Sequence, residues 1–307
     1  MSESNRVALR YIPEVTYGTT PVDGVWQALR FEGESLTATP DVVVSNEIRS
    51  DRHISDQLQT GLTVGGGFNF ELSPNTFDSL IESALCGAWT ANVLKVGVVD
   101  SSYTLEKEFE DVNKFITFTG MRVGQMSLSL AYGAIATGTF TFAGNGSDTP
   151  VASLVGLGST TAATTTPILN ASSDVNSVKI DGVATDICIT SMTLDVNNNL
   201  RPITCIGSVA PTNQTKGSAS VTGAVEMYLD ANSFVMYSNV LTQTEVSLEF
   251  TITDGTDSYT FFLPKVKLSG DAPMAGSKDS DVLMSFNYTA LYDATEDTSL
   301  VITRVDA

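Results

Sequence analysis

The stretch LTVGGGFNFELSPNTFDSLIESAL, from Leu62 to Leu85, decides the fold, because the chain contains a second version of it. A shift of 157 positions places it without a gap over ASVTGAVEMYLDANSFVMYSNVLT, from Ala219 to Thr242. Identical residues occur at Val64, Gly66, Leu72, Asn75 and Phe77 and, in the second version, at Val221, Gly223, Leu229, Asn232 and Phe234. The order of local patterns also agrees, so we predict an internal duplication.

Each version predicts a strand, a polar break and an amphipathic helix. Apolar residues alternate with small or polar ones from Leu62 to Leu72, which is typical of a strand with one buried face. The three glycines at 65–67 indicate a bend or the close approach of another backbone. Apolar residues at helical spacing are expected to hold the helices against the sheet: Phe77, Leu80 and Ile81 in the first version, and Phe234 and Tyr237 in the second.

Around these two stretches, short alternating segments separated by turn residues predict further antiparallel strands. We therefore predict a mainly β chain of two tandem antiparallel domains that form sandwiches or barrels, each with one flanking α-helix. The expected boundaries are a polar N-terminal arm at 1–24, domains at 25–144 and 176–307, and a linker rich in Ser, Thr, Ala and Gly at 145–175. About 25 polar residues at 37–61 show little periodicity, and such a segment inside a compact domain is often functional.

The composition is strongly acidic. Among 307 residues, 35 are acidic and 16 are basic, which gives a formal charge of -19 that both halves share. Because nucleic-acid binding relies on Lys and Arg to neutralise phosphates, this charge argues against binding to nucleic acid or to an anionic membrane. Solubility alone would also explain the charge.

Other signals point to a soluble protein made in a cytoplasm. Cys86, Cys188 and Cys205 show no CxxC spacing and fit unpaired thiols in a reducing compartment. The segment MSESNRVALRYIPE lacks the pattern of a signal peptide, and no apolar run approaches the roughly 20 residues of a membrane helix. We expect no membrane binding by this chain.

No motif for catalysis or cofactor binding emerges. His53 is the single histidine and lies in a polar segment without a nucleophile motif such as GxSxG. The glycines at 65–67 lack the GK[ST] ending of a phosphate-binding loop. Glu106, Glu108 and Glu110 alternate along one strand, which indicates a solvated face or a charged row facing a lumen. The sequence therefore favours a structural or binding protein without a cofactor over an enzyme.

Six segments occur in a recognisable succession: RYIPEVTYGTTP at 10–21, LRFEGESL at 29–36, SNEIRSDR at 45–52, LSPNTFDSLIESALCGAW at 72–89, LDVNNNLRPITCIGS at 194–208 and KDSDVLMSFNYTALYD at 278–293. In this order they resemble the tail tube, or major tail, proteins of long non-contractile tailed bacteriophages. No single segment is specific, but the succession covers nearly the whole chain.

This resemblance implies a β-sandwich with a flanking helix, whose inner sheets join between subunits into a continuous β-barrel around a DNA conduit. One such unit commonly supplies a sixth of a ring in the family. Two units per chain therefore predict a trimeric, pseudo-sixfold ring, with a hexamer of chains as the alternative. The rings would stack in the virion tail, after assembly in the bacterial host cytoplasm, with tape measure, tail-tip and terminator proteins as partners. DNA would pass without specific binding.

We place the contacts between rings in the surplus segments. The predicted ring-stacking loop uses Asp41, Glu47, Arg49, Asp51, Arg52, His53 and Asp56, and the predicted arm contacts are Arg10, Tyr11 and Tyr17. One alternative is a receptor- or carbohydrate-binding β-sandwich of the virion, at the tail tip or as a decoration, which would need exposed aromatic platforms. The contexts of Trp26 and Trp89 favour burial instead. A hydrolase using His53 is a further alternative.

Overall fold

The computed structural model describes residues 3–153, 156, 158–184 and 187–306, and this part is mainly β with two α-helices. The first strands are β1 (Val7–Pro13), β2 (Val25–Ala28), β3 (Gly33–Glu34), β4 (Thr37–Val44), β5 (Gln57–Glu71), β6 (Val93–Lys95), β7 (Tyr103–Phe109), β8 (Lys114–Ala131), β9 (Thr137–Ala143), β10 (Gly146–Ser147) and β11 (Ser159–Thr161). The others are β12 (Val175–Ile180), β13 (Val183–Ala184), β14 (Ile189–Asn197), β15 (Arg201–Ile203), β16 (Asn213–Thr215), β17 (Ser220–Tyr228), β18 (Val246–Thr253), β19 (Ser258–Ser269), β20 (Leu283–Ala290) and β21 (Val301–Val305). The helices are α1 (Asp78–Ala84) and α2 (Ser233–Thr242).

One large sheet runs through both halves of the chain. Eight of its strands follow the order β4–β5–β9–β8–β14–β17–β20–β19, with every neighbouring pair antiparallel, and we call them the main sheet. The pairing of β8 with β14 connects a strand of the predicted first domain to a strand of the predicted second. The two halves therefore share a sheet.

The strands β8 and β19 change partners along their length. The first part of β8 pairs with β7, and its second part lies between β9 and β14. The first part of β19 pairs with β18 and β21, and its end pairs with β20. Each of these strands thus belongs to the main sheet at one end and to a group of flanking strands at the other.

The core lies on one face of the main sheet, where alternate residues of the strands other than β4 are buried. Its aromatic centre in the first half consists of Phe68, Phe70, Phe77 and Phe140, none more than 1% exposed. The Phe70 ring centroid lies 4.4 Å from that of Phe77 and 4.8 Å from that of Phe140. Because α1 begins directly after Phe77, this side chain fixes the start of the helix to the sheet.

The two helices do not bury the same positions of the predicted repeat. In the first half Phe77, Leu80 and Ile81 are all buried, as expected. In the second half Phe234 is 52% exposed, and the buried residues are Ser233, Met236 and Val240. Phe234 is therefore not a buttressing residue, while Tyr237 is partly buried against the core.

A shift of one residue accounts for this difference. Ser233, Met236 and Val240 lie 156 positions after Phe77, Leu80 and Ala84, whereas the buried strand residues Val221 and Val225 lie 157 positions after Val64 and Phe68. The second version has one residue fewer between strand and helix. An alignment without a gap consequently rotates its helix by about 100° from the buried face.

Within the predicted N-terminal arm, all of Val7–Pro13 is a strand of the sheet, which corrects that expectation for these residues. β1 pairs with β7 along seven residues and also with β2. Leu9 and Tyr11 are buried because alternate side chains of this strand face the core, and Ile12 is buried on the opposite face.

The segments at 37–61 and 145–175 also contain strands. β4 and the first part of β5 form a long hairpin, so the segment at 37–61 is paired backbone with a connection at 45–56. In the predicted linker, β10 pairs with β8, β11 pairs with β2, and Leu169 is fully buried. Most of this segment thus packs on the first half, whereas its end, Asp174 and Val175, pairs with β18 of the second half.

The glycines at 65–67 mark a close backbone approach, as predicted. A Cβ atom at Gly67 would lie 2.2 Å from the carbonyl oxygen of Phe140, and one at Gly66 would lie 2.2 Å from that of Ser35. Any larger residue would separate β5 from its neighbours at these positions.

Candidate functional site

The face of the main sheet opposite the core carries rows of small polar side chains. One row crosses seven strands in register, through Asn69, Thr139, Ser127, Asp195, Thr222, Thr289 and Lys267. A second row contains Glu71, Thr137, Ser129, Thr193, Ala224, Asn287 and Ser269. None of these residues is buried. We call this surface the polar face, and it continues from one half of the chain to the other.

Hydroxyl and amide groups dominate the polar face. Only Glu71, Asp195 and Lys267 in the two rows are charged, so the rows present no cluster of cations to a polyanion. The glutamates of β7 do not lie on the polar face. They form neither a solvated row nor a charged row facing a lumen, which corrects both interpretations made from the sequence. Glu106 is fully buried on a flanking strand and lies 3.2 Å from Arg10, which also contacts Glu108.

The long hairpin, residues 37–61, projects a dense group of apolar side chains into solvent. Val42, Val43, Val44, Ile48, Ile54 and Leu58 are between 40% and 99% exposed. Single exposed apolar residues are ordinary, but a group concentrated on one projection marks a surface for contact with another protein. The sequence interpretation, which treated this segment as polar, missed these residues, although the run VVV at 42–44 was a visible signal.

All seven residues predicted to stack rings lie on the long hairpin and are exposed: Asp41, Glu47, Arg49, Asp51, Arg52, His53 and Asp56. Asp51 organises the connection, since its carboxylate lies 2.6 Å from Arg49 and accepts a hydrogen bond from the backbone N–H of His53. The Arg49 guanidinium lowers the pKa of this carboxyl group. Among the residues that the structure describes, the His53 side chain forms no hydrogen bond or ion pair.

A second hairpin lies beside the long one. β15 and β16 pair with each other, and their connection exposes Ile206 and Val209. A groove of about 750 Å³ separates this second hairpin from the base of the long hairpin and is lined from both sides, for example by Asp41 and Cys205. In chain order the second hairpin lies between β14 and β17, whereas the long hairpin consists of β4 and the first part of β5.

The three residues predicted as arm contacts are engaged within the chain. Arg10 is bound by the β7 glutamates, and the Tyr11 hydroxyl lies 2.6 Å from that of Ser79 at the start of α1. The Arg122 guanidinium stacks on the Tyr17 ring at 4.9 Å from its centroid. These contacts hold the N-terminal segment on its own subunit.

Helix α1 lies at the junction between the two halves. Asp78, its first residue, contacts Arg304 of β21 and the Tyr259 hydroxyl of β19, and Arg304 also stacks over Trp89 at 4.6 Å. Trp26 is fully buried. Neither tryptophan therefore offers the free aromatic platform that a carbohydrate-binding protein would need.

Comparison with known proteins identifies the family of this chain. Residues 4–290 match the family model described as phage tail tube protein. This chain belongs to the phage tail tube protein family. A search of curated proteins found no match.

Membership gives the tube protein a structural role in the phage virion tail, as the resemblance predicted, and not an enzymatic one. Assembly into a tube with other tail proteins follows from the family as well. No helix in the described residues is long and apolar enough to span a bilayer. Within that same part of the chain, no group of three or more His, Cys, Asp and Glu side chains could hold a metal ion.

The stability of the tube protein should fall at high pH, in part through Tyr17. Burial raises the pKa of Tyr17 from 10.0 to about 12, although the Arg122 guanidinium lowers it. The raised pKa means that the neutral Tyr17 side chain contributes to the free energy of unfolding, and this contribution is complete below pH 10. It is lost as pH rises toward 12, because Tyr17 ionises first in the unfolded chain. We expect urea unfolding at pH 9 and pH 11 to show a smaller decrease for Tyr17→Phe than for the wild type.

The matched control is Tyr132→Phe, because Tyr132 is 82% exposed and its side chain is in contact with water in both the folded and the unfolded chain. This variant should show the wild-type decrease. An equal decrease in all three proteins would contradict the role assigned to Tyr17.

Proposed function

We propose that the tube protein forms closed rings in which the polar face of the main sheet lines a DNA conduit, and that these rings stack into the tail tube. The observation that carries this proposal is the polar face itself. Its rows cross seven strands and pass from β8 to β14 without interruption. A sheet of this kind, continued by further copies, closes into a barrel without free edges.

The strand pairings support an internal duplication. β4, β5, β9 and β8 are paired in that order, and β14, β17, β20 and β19 are paired in the same order. Each half also has a helix after the second of these strands and a flanking hairpin, β7–β8 or β18–β19. We therefore favour two equivalent units per chain and a trimeric, pseudo-sixfold ring over a hexamer of chains.

The chemistry of the polar face suits a conduit. Serine, threonine and asparagine side chains are hydrated and neutral, and the few charges there do not attract phosphates. With a chain charge of -19, the surrounding field repels DNA at long range. DNA would pass through such a lumen without specific binding. We place assembly in the bacterial host cytoplasm, with tape measure, tail-tip and terminator proteins as the partners.

Image averaging of purified tube protein in negative stain tests the ring. The expected result is closed rings with threefold or pseudo-sixfold symmetry, alone or stacked into tubes. A protein that stays monomeric at every concentration and salt would contradict the proposal. Sixfold rings whose mass equals six chains would reject the trimer while retaining the conduit.

The long hairpin is the proposed stacking surface, through the seven charged and polar residues predicted from sequence together with its exposed apolar side chains. We expect the triple variant Val42→Ser, Val44→Ser, Leu58→Ser to form rings but few or short tubes, because the three side chains face solvent in the single chain and bury apolar area only on stacking. The midpoint of thermal unfolding should move by no more than about 2 °C, since exposed positions contribute little to the fold. Tube lengths are measured in negative stain.

The control is the triple variant Val15→Ser, Val22→Ser, Val98→Ser, which changes three valines outside the hairpin that are still more exposed, between 78% and 94%. It should form tubes of wild-type length. Long tubes from the hairpin variant would show that another surface makes the contact between rings.

A further inference from the structure

We infer that neighbouring copies of the chain join through a β-pairing of fixed register, in which Ser269 lies opposite Thr39, and Asp271 opposite Thr37, of the next copy. This inference rests on the proposed ring and names the strand edges and the residues that form its seams. The two edges are the outer edge of β3–β4 and the end of β19 with the residues that follow it.

The template for this seam is the pairing of β8 with β14 inside the chain. Asn197 lies opposite Gln125, and Asp195 lies opposite Ser127. The backbone N–H of Tyr132 donates to Thr190 O, and that of Asn198 donates to Gly124 O. Even-numbered residues are thus hydrogen-bonded across this seam, and the odd-numbered pairs Asn197–Gln125 and Asp195–Ser127 have their side chains closest together.

One edge of the new seam follows from the register of the strands beside it. Thr63 and Gly65 of β5 lie opposite Thr39 and Thr37. Their equivalents after 157 positions, Ser220 and Thr222 of β17, lie opposite Asn197 and Asp195. Thr39 therefore takes the position of Asn197, and Thr37 takes that of Asp195.

The other edge follows in the same way. Gly67 lies opposite Thr141, which lies opposite Gln125. Its equivalent Ala224 lies opposite Asn287, which lies opposite Ser269. Ser269 thus takes the position of Gln125, and two residues further Asp271 takes that of Ser127.

Both edges lack a strand partner in the single chain. In the described residues β3 and β4 pair only with β5, and β19 from Lys267 to Ser269 pairs only with β20. Residues 270–276 have no regular structure, whereas the equivalent part of β8 continues as a strand to Ala131. This difference is expected if the segment extends β19 only when a neighbouring copy is present.

On the β3–β4 edge, the even-numbered residues direct their backbone N–H and C=O groups away from β5, as this seam requires. Ser35 N–H bonds to Gly67 O of β5, so the even-numbered residues face the other way. Leu36 shows this: its N–H donates to the Glu34 carboxylate, and its carbonyl accepts from Lys107 Nζ. Pro40, which has no N–H to leave unpaired, also lies at an outward position, as is usual on an edge strand.

Pro273 does not obstruct this seam. The residues that would bond to the next copy are Gly270 and Ala272, opposite Ala38 and Leu36. Pro273 is odd-numbered, so its nitrogen would face the β20 side. A residue that precedes proline also favours an extended backbone, which suits Ala272 in a strand.

Paired cysteines test the register in the assembled protein. In a background with the exposed Cys188 and Cys205 changed to serine, the matched variants are Thr37→Cys with Asp271→Cys and Thr39→Cys with Ser269→Cys. Oxidation with copper phenanthroline should give a series of covalent oligomers on a non-reducing gel. Its largest closed member gives the number of chains per ring.

The control variants exchange the partners: Thr37→Cys with Ser269→Cys, and Thr39→Cys with Asp271→Cys. These diagonal pairs would place Cβ atoms about 7–8 Å apart, beyond the roughly 4.5 Å of a disulfide, so we expect at least about tenfold less cross-linking. The pair Ser127→Cys with Asp195→Cys should form a disulfide within one chain, losing its two added thiols without giving covalent oligomers, which verifies the template.

Imaging of the same samples separates the two proposals. Rings without cross-links in the matched variants, or with more cross-links in the exchanged variants, would overturn the register and leave the proposed function intact. Absence of rings from the unmodified protein would overturn the proposed function and this seam together.

Discussion

The variant Phe77→Ala is expected to lower the free energy of unfolding by about 3–5 kcal/mol, the usual cost of removing a fully buried phenylalanine. The side chain is 0% exposed and packs on Phe70 and Phe140 where α1 begins. Its loss leaves a cavity between helix and sheet that rigid aromatic neighbours cannot fill. Denaturant unfolding followed by circular dichroism measures the change.

The matched control is Phe234→Ala, the residue that the ungapped repeat equates with Phe77. Because Phe234 is 52% exposed, its truncation should change the free energy of unfolding of the single chain by no more than about 1 kcal/mol. Equal losses in the two variants would contradict the shift of one residue between the versions of the repeat.

The variant Gly66→Ala should be destabilising by about 2–6 kcal/mol, since backbone strain and overpacking each cost about 1–3 kcal/mol. Gly66 has a φ of 111°, and a Cβ atom there would lie 2.2 Å from Ser35 O and 2.9 Å from Leu36 Cα. The neighbouring strand would have to move away. We expect a lower midpoint of urea unfolding. Insoluble protein at 37 °C would be consistent with the same loss of stability.

The control for this effect is Gly33→Ala. No atom lies within 4 Å of a Cβ atom built at Gly33, and its φ is not in the left-handed region. The change should be neutral or stabilising by about 0.4–1 kcal/mol, because alanine restricts the unfolded chain. Similar behaviour of the two variants would contradict a specific steric role for Gly66.

The repeated glycine has the same physical reason in both halves. A Cβ atom at Gly223 would lie 2.1 Å from Thr193 O, and Thr193 lies on β14 as Ser35 lies between β3 and β4. The sequence shows the identity of Gly66 and Gly223 but not the strand that crosses them. A close approach between distant segments becomes visible only when the pairing is known.

Local patterns predicted the elements of the fold well. Alternation and helical spacing depend on neighbouring residues, so the strand from Leu62 and the helix from Phe77 could be found directly. The helix of the second half was found, but its buried face was not, since the identity of Phe77 and Phe234 hides the missing residue between strand and helix.

Pairing between distant segments could not be predicted. Val7–Pro13 is a strand because β7 lies beside it, and its mixed composition alone resembles a free arm. The glutamates of β7 alternate like a solvated row, although the guanidinium of Arg10 makes burial of Glu106 possible. In each case the deciding partner lies far away in the chain.

The candidate site was predicted in part. The charged residues from Asp41 to Asp56 lie on an exposed projection, as a stacking surface requires, and that role stays a prediction. The polar face was not identified residue by residue, because its members are ordinary Ser, Thr and Asn side chains. Their significance comes from alignment across strands that the sequence does not order.

The pairing of β8 with β14 has a consequence for how fast rings can nucleate. In the proposed ring of three chains, every second seam is already closed within a folded polypeptide. Ring formation then depends on the third power of subunit concentration, where six separate units would give the sixth. A covalently paired tube protein could therefore begin a tail while its pool in the infected cell is still dilute.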